Sequence, residues 1–353
     1  MSTLDRSLDK RLAAQPVQLL EIPGGIIIKR GVDELVVPVR SAAAIAAALA
    51  RAGAPGGAPY AELLAMLQTD ADGEADGLIQ ELRKKRMLVD PADVSAGAET
   101  PAELLGWGMG RSPNAMRDAF ASVAIDVIGV NAVSQRLVES LLQVGARARA
   151  IDHPGFRNVR FFDTNERLDG DLWRLPYPTP YDVWNSSAQE TAASCLVVCS
   201  DFGGLQRLAE WNSLANRRGW HFLPAVLQNA VGLVGPLAIP GETACFQCLL
   251  SREEANSATV PIRRALENFA FEGQLVAAYH PSMASATGDV AAIELTKQYA
   301  YGWTSAAIDN VIEINLLAGS TVTRPILKVP NCRVCSTLNS RGRFTPLRAS
   351  EPA

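Results

Sequence analysis

Two pairs of cysteines carry the clearest chemical signal in the chain: Cys245-Phe246-Gln247-Cys248 and Cys332-Arg333-Val334-Cys335. Two thiols separated by two residues can grip one ion from a tight knuckle, and two knuckles complete the tetrahedron that Zn²⁺ adopts in structural sites. Four thiolates leave no position for water, so such a centre staples a fold rather than activating a nucleophile. The pairs are far apart in the chain, and the ion is expected to tie the middle of a domain to its C-terminal end. The competing reading is two buried or redox-active thiol pairs. The loop residues beside the knuckles, Pro240-Gly241 and Pro330-Asn331, favour zinc. Cys195 and Cys199 sit in one apolar run on the same side of a strand, where core packing is expected.

A second signal lies at Gly129-Val130-Asn131-Ala132-Val133-Ser134. A nucleotide-binding strand-to-helix turn would place Gly-x-Gly-x-x-Gly there, with an acid some twenty residues on, where Asp152 stands. One of the three glycines is present. Asn131 tolerates unusual backbone angles, but its side chain hinders the close approach of phosphates that a second glycine allows. A sheet turn without its ligand is the favoured reading. His153, His221 and His280 are not at metal-ligand spacing with one another, and each is expected to be a satisfied polar residue. There is no Gly-x-Ser-x-Gly elbow, Gly-Lys-Ser/Thr loop or His-Glu-x-x-His helix.

These residues need elements to hold them. VQLLEI, GIIIKR and ELVVPV are β-branched runs separated by Pro23-Gly24-Gly25 and Gly31-Val32-Asp33, the pattern of a small antiparallel meander. Ser41 is expected to cap an Ala-rich helix reaching about Arg51. Tyr60-Leu63-Leu64-Leu67 and Leu78-Ile79-Leu82-Met87 give two further helices, and MLVD a closing strand. Strands followed by three helices predict a winged helix-turn-helix over residues 17–90, within a first domain of 1–90. The basic run Arg83–Arg86 raises DNA binding, but a charge run is usually a solvated helix face. Strand addition to the meander's edge, with the last helix as the other wall, fits better: the domain is expected to bind an extended peptide.

Residues 91–121, rich in Ala, Gly, Pro and Ser, read as a linker with one or two short helices. From there to residue 345 the pattern is α/β. VAIDVIGV, a helix from Ser134 to Val144 and ARARAID form a strand–helix–strand unit, and continuous apolarity predicts strands buried on both faces of a parallel sheet. CLVVCSD from Cys195, a helix from Leu208 to Arg218 and two strands within HFLPAVLQNAVGLVGPLAIP extend it. Residues 346–353 form a tail.

The charge balance of 33 Lys+Arg against 37 Asp+Glu, net −4, argues against a nucleic-acid-binding polyelectrolyte. With 48% hydrophobic residues the composition is globular. The first sixteen residues mix charges without an apolar core, so no secretory signal is expected, no stretch fills the ~20 apolar residues of a membrane span, and a cytoplasmic location follows.

Leu196-Val197-Val198-Cys199-Ser200-Asp201, Asn212 and Ala215, Gly235-Pro236, the Pro240–Cys248 segment and Cys332-Arg333-Val334-Cys335 together resemble the ThiF/MoeB group of ubiquitin-activating-like adenylating enzymes, over about residues 120–340. With the N-terminal domain, the arrangement looks like the leader-peptide-binding, cyclodehydratase C-subunit family of thiazole/oxazole-modified microcin biosynthesis. The resemblance implies a PqqD-like winged helix capturing the leader of a ribosomal precursor, and a Rossmann-type ThiF-like domain that holds structural zinc, forms a homodimer and docks a YcaO-type ATPase. Active adenylating members keep a glycine-rich turn, a second acid after the ribose-binding one and an arginine-bearing phosphate segment. Here the turn is degenerate, Asp152-His153-Pro154 lacks the second acid, and Gly155-Phe156-Arg157-Asn158 only echoes the last. Gly129, Asn131, Asp152 and Asp201 therefore mark a degenerate nucleotide site, ATP use is expected to fall to the partner, and no residue here is expected to be catalytic. The implied role is a subunit that presents Cys, Ser or Thr of a precursor for azoline formation in bacteriocin biosynthesis. A self-sufficient peptide-adenylating enzyme and a zinc-containing DNA-binding regulator are the rival readings.

Overall fold

Short β-branched runs and glycine turns build the first part of the chain. The computed structural model describes residues 10–38, 42–68, 75–94, 99–187, 195–256 and 278–336, with 262 and 265 as isolated positions. The chain divides into two compact units, Met1–Asp118 and Ala119–Ala353.

In the first unit, β1 (Arg11–Ala14) precedes a meander of β2 (Gln18–Ile22), β3 (Gly25–Arg30) and β4 (Asp33–Pro38). Both meander pairings are antiparallel. Gly24, at φ +93°, makes the first turn, a geometry that glycine adopts without cost. Helix α1 (Ala42–Ala52), the short β5 (Ala58–Pro59), helices α2 (Tyr60–Gln68) and α3 (Ala75–Lys84) and β6 (Leu88–Val89) follow. Spacings of three and four put Ile45, Leu63, Ile79 and Leu82 on one core with Leu12 and Ile28, each no more than 1% exposed. The meander and three helices thus occur in the order read from the sequence.

Strand β1 was not read from the sequence. It is the middle strand of a second small sheet, paired antiparallel with β5 and β6. The compact unit also runs past the expected boundary at residue 90. Its α4 (Pro101–Gly108) starts in a capping box of Thr100 and Glu103, and Glu99 and Trp107 pack on Arg30 of β3. The basic run ends α3: Lys84 lies near Glu81, Lys85 near Asp33, and Arg86 turns into the left-handed region. The Ser41 cap and the 346–353 tail lie outside the described residues.

After α5 (Pro113–Ala121) the apolar runs become a parallel sheet. Strand β7 (Ala124–Ile128), α6 (Ala132–Gln143) and β8 (Arg147–Asp152) form the expected strand–helix–strand unit. They are followed by β9 (Thr179–Pro180), α7 (Tyr181–Ser187), β10 (Cys195–Ser200), α8 (Leu205–Arg218), β11 (His221–Gln228) and β12 (Val231–Val234). Helices α9 (Phe246–Asn256) and α10 (Pro281–Thr296) and strands β13 (Asn310–Asn315) and β14 (Ser320–Pro325) complete the unit. The sheet order is β14-β13-β12-β11-β10-β7-β8-β9. The run from β11 to β9 is parallel, and β12 to β14 extend it antiparallel, giving a mixed α/β fold. Every residue of β10 is buried, as an inner parallel strand requires. Cys195 and Cys199 are fully buried there, and burial pushes the Cys195 thiol up to about 12.

Helix α10 packs directly on α6. A Cβ at Gly288 would come within 2.8 Å of the Val133 carbonyl, so only glycine permits this approach. No helix among the described residues is long and apolar enough to cross a membrane.

Candidate metal centre and the turn at Gly129

The two cysteine pairs meet. Cys245 precedes α9, Cys248 lies in its first turn, and Cys332 and Cys335 sit in a turn after β14. The four Sγ atoms lie within 4.8 Å of one another, and all four residues are buried. Sγ–Sγ distances are 4.0 Å for Cys245–Cys248, 3.7 Å for Cys245–Cys332 and 3.5 Å for Cys248–Cys335. A Zn–S bond of about 2.3 Å gives a tetrahedron with edges of about 3.8 Å, so these spacings suit one ion. They are far longer than a disulfide bond of about 2.05 Å, and among the described residues no cysteine is so bonded.

The knuckles are braced as a unit. The Val329 N–H donates to Cys248 Sγ at 3.4 Å, Cys248 N–H to the Cys245 carbonyl, and Cys332 N–H to the Val329 carbonyl. Arg333 of one knuckle donates to Gln247 Oε1 of the other at 2.8 Å, and Asn216 Nδ2 to the Val334 carbonyl at 2.8 Å. Proximity to Cys248, then burial, pushes the Cys245 thiol up to about 12, and its neighbours raise Cys335 in the same sense. Four thiolates this close call for a cation, and the donor set suits a soft or borderline ion such as zinc.

At the second site, Gly129 has φ +118°, and a Cβ there would lie 2.8 Å from the Cys199 carbonyl. Glycine is set here by the positive φ and by the close approach of the Cys199 carbonyl of the neighbouring parallel strand. Asn131, fully buried, caps α6: its Oδ1 accepts from Ser134 N–H, while Nδ2 donates to the Phe156 and Cys199 carbonyls at 3.1 and 2.9 Å. That cap begins the helix at Ala132 rather than at Ser134. Asp201 Oδ2 accepts from Ala132 N–H at 3.1 Å, Asn158 Nδ2 at 2.7 Å and Tyr279 Oη at 2.7 Å. Its Oδ1 is buried without a partner among the described residues. Asp152 is held by Arg157 in a two-pronged ion pair of 2.6 and 2.8 Å.

The structure therefore brings Gly129, Asn131 and Asp201 together, with Asp152 engaged separately. The N–H groups of Ala132 and Ser134, which would face a phosphate at a helix N-terminus, bond to the chain's own side chains. Sequence reasoning named Asn158 only within the Gly155–Asn158 echo and missed Tyr279, because nothing local marks two residues that meet Asp201 only in the fold.

The histidines are satisfied. His153 Nδ1 accepts from Gly155 N–H, His221 Nδ1 meets Tyr299 Oη at 2.7 Å, and His280 caps α10 through Ser282 N–H.

The whole is a mixed α/β fold carrying a four-cysteine cluster able to hold a metal. No protein-family model and no curated protein sequence matches the chain. Solved structures do match in fold. E. coli MccB with succinimide aligns at a TM-score of 0.67 and 14% identity, covering 92% of this chain and 100% of that one. The microcin C7 biosynthetic enzyme MccB in complex with N-formylated MccA gives 0.66 at 14% identity, over 92% and 99% of the two chains. The heterocyclase TruD gives 0.59 at 18% identity, over 96% of this chain but 45% of that one. At such identities the likeness establishes the fold.

Proposed function

We propose that the chain is a leader-peptide-binding, partner-activating subunit of an azoline-forming cyclodehydratase in ribosomal peptide biosynthesis. The first unit, as a winged-helix domain, takes the leader as an added strand on its meander. The second, as a ThiF-like homodimer stapled by zinc at Cys245, Cys248, Cys332 and Cys335, presents the tethered core to a YcaO-type ATPase. Tethering turns a bimolecular encounter into a local one at an effective concentration on the order of millimolar. Likeness to a heterocyclase and to a microcin C7 biosynthetic enzyme solved with N-formylated MccA supports a place in peptide tailoring.

One observation carries the non-catalytic assignment: Asn131 and Asp201 already bond the N–H groups that a phosphate would need. With those two donors engaged, this turn offers less stabilisation to charge developing in a phosphoryl or adenylyl transfer. Gly129, Asn131, Asp152 and Asp201 are accordingly read as a closed remnant of a nucleotide site.

A second reading, a peptide-adenylating enzyme, is favoured by the end-to-end likeness to MccB, which has also been solved with ATP. Titration calorimetry with ATP and Mg²⁺, together with ATP turnover in the presence of a candidate precursor peptide and no partner, separates the two. The presenter predicts neither heat nor turnover. It also predicts that a fluorescein-labelled form of that precursor binds the full chain but not residues 119–353; magnesium-dependent ATP consumption overturns it.

A further inference from the structure

Four thiolates around one Zn²⁺ leave two negative charges in a buried centre. Such charge requires N–H donors on the sulfurs, since burying it otherwise is costly. Val329 supplies one, to Cys248. Beside Cys245 stands Asn212 of α8, 1% exposed.

Its amide is oriented. Oδ1 accepts from Phe246 N–H at 3.3 Å, at the start of α9, which turns the NH₂ group the other way. Nδ2, although buried, has no hydrogen-bond partner among the described residues, sulfur included. A buried donor left unpaired costs about 1–3 kcal/mol, so its retention asks for a partner. Asn212, Cys245 and Cys335 line one small void.

We propose that Asn212 is a positioning residue of the metal centre: with zinc bound, its Nδ2 donates to Cys245 Sγ and tightens the hold on the ion. This rests on the zinc reading above. By linking α8 to the start of α9, the same amide fixes both the knuckle's backbone and the charge on its first sulfur.

The test uses the full chain and two variants. Asn212→Asp keeps an acceptor for Phe246 N–H but loses the donor; Asn212→Leu loses both. Zinc affinity is read by competition with a chromophoric chelator, and sulfur donation by the thiolate-to-metal charge-transfer band of the Co²⁺-substituted protein. Both variants are expected to bind zinc about tenfold or more weakly, with the band moved to lower energy. Wild-type affinity and an unshifted band in Asn212→Asp overturn the inference and leave the zinc reading standing. Absence of stoichiometric metal from the wild-type chain overturns both. Should Asn212→Asp fail to fold, ¹¹³Cd-loaded wild-type protein decides: a scalar coupling between ¹¹³Cd and the Asn212 NH₂ protons is expected, and its absence overturns the donor role.

Discussion

Arg30 and Glu99 form a buried ion pair, Nη2 to Oε2 at 2.5 Å, with side chains 3% and 6% exposed. Trp107 completes it, its Nε1 donating to Glu99 Oε1 at 2.6 Å and its ring lying 5.4 Å beneath the Arg30 guanidinium. Residues read from composition as linker are thereby fastened to the meander of the first unit.

Breaking that pair from one side leaves an uncompensated buried charge, which costs about 3–5 kcal/mol. Glu99→Ala should lower the urea midpoint of residues 1–118 accordingly. The double variant Arg30→Met, Glu99→Leu should recover most of the loss. A Glu99→Ala midpoint unchanged from wild type would show that the pair contributes no net stability.

The metal centre predicts one zinc per chain by elemental analysis, and Cys248→Ser or Cys332→Ser should abolish it. Removing an ion held at a thousandfold its dissociation constant costs about 4 kcal/mol of apparent stability. Chelator treatment should therefore lower the unfolding temperature of wild type but not of either serine variant.

Asn131 closes three hydrogen bonds of the turn at Gly129. Asn131→Ala removes an N-cap and the side-chain donor to the Phe156 and Cys199 carbonyls, a loss of about 2–4 kcal/mol. Denaturant unfolding measures it. Asn131→Gly should be similarly costly and should not confer ATP binding, because Asp201 still holds the Ala132 N–H and Arg157 still holds Asp152.

Burial lowers the proton affinity of His153, helped by the Arg207 charge, and that of His221. Their folded values lie below the ordinary ~6.5, so the unfolded chain binds protons first as pH falls. Stability should be full above about pH 6.5, decline below it, and level off once the folded histidines also titrate. Urea midpoints across this range should flatten in His153→Gln, His221→Gln; an undiminished slope would assign the effect to other groups.

What the sequence disclosed follows from how locally each signal is encoded. The inner strands announce themselves because both faces are apolar, and the cysteine pairs because their spacing is short. Strand β1 is hidden: RLAA has too few residues to show a period, and its partners lie at Ala58–Pro59 and Leu88–Val89. Helix α10 shows no apolar stripe because small residues, Gly288 among them, let it approach α6 closely. Strand β14 is exposed and polar, and belongs to the sheet through its backbone. The bonds of Asn158 and Tyr279 to Asp201 join residues far apart in the chain and so have no local signature.

The two knuckles come from either end of a long segment that includes α10, β13 and β14. With an ion between them, that segment becomes a closed ring in which one broken peptide bond cannot part the ends. A protease nick between Cys248 and Cys332 would give two bands on a denaturing gel yet a single particle in solution, and chelation should lower the denaturant needed to part the two fragments.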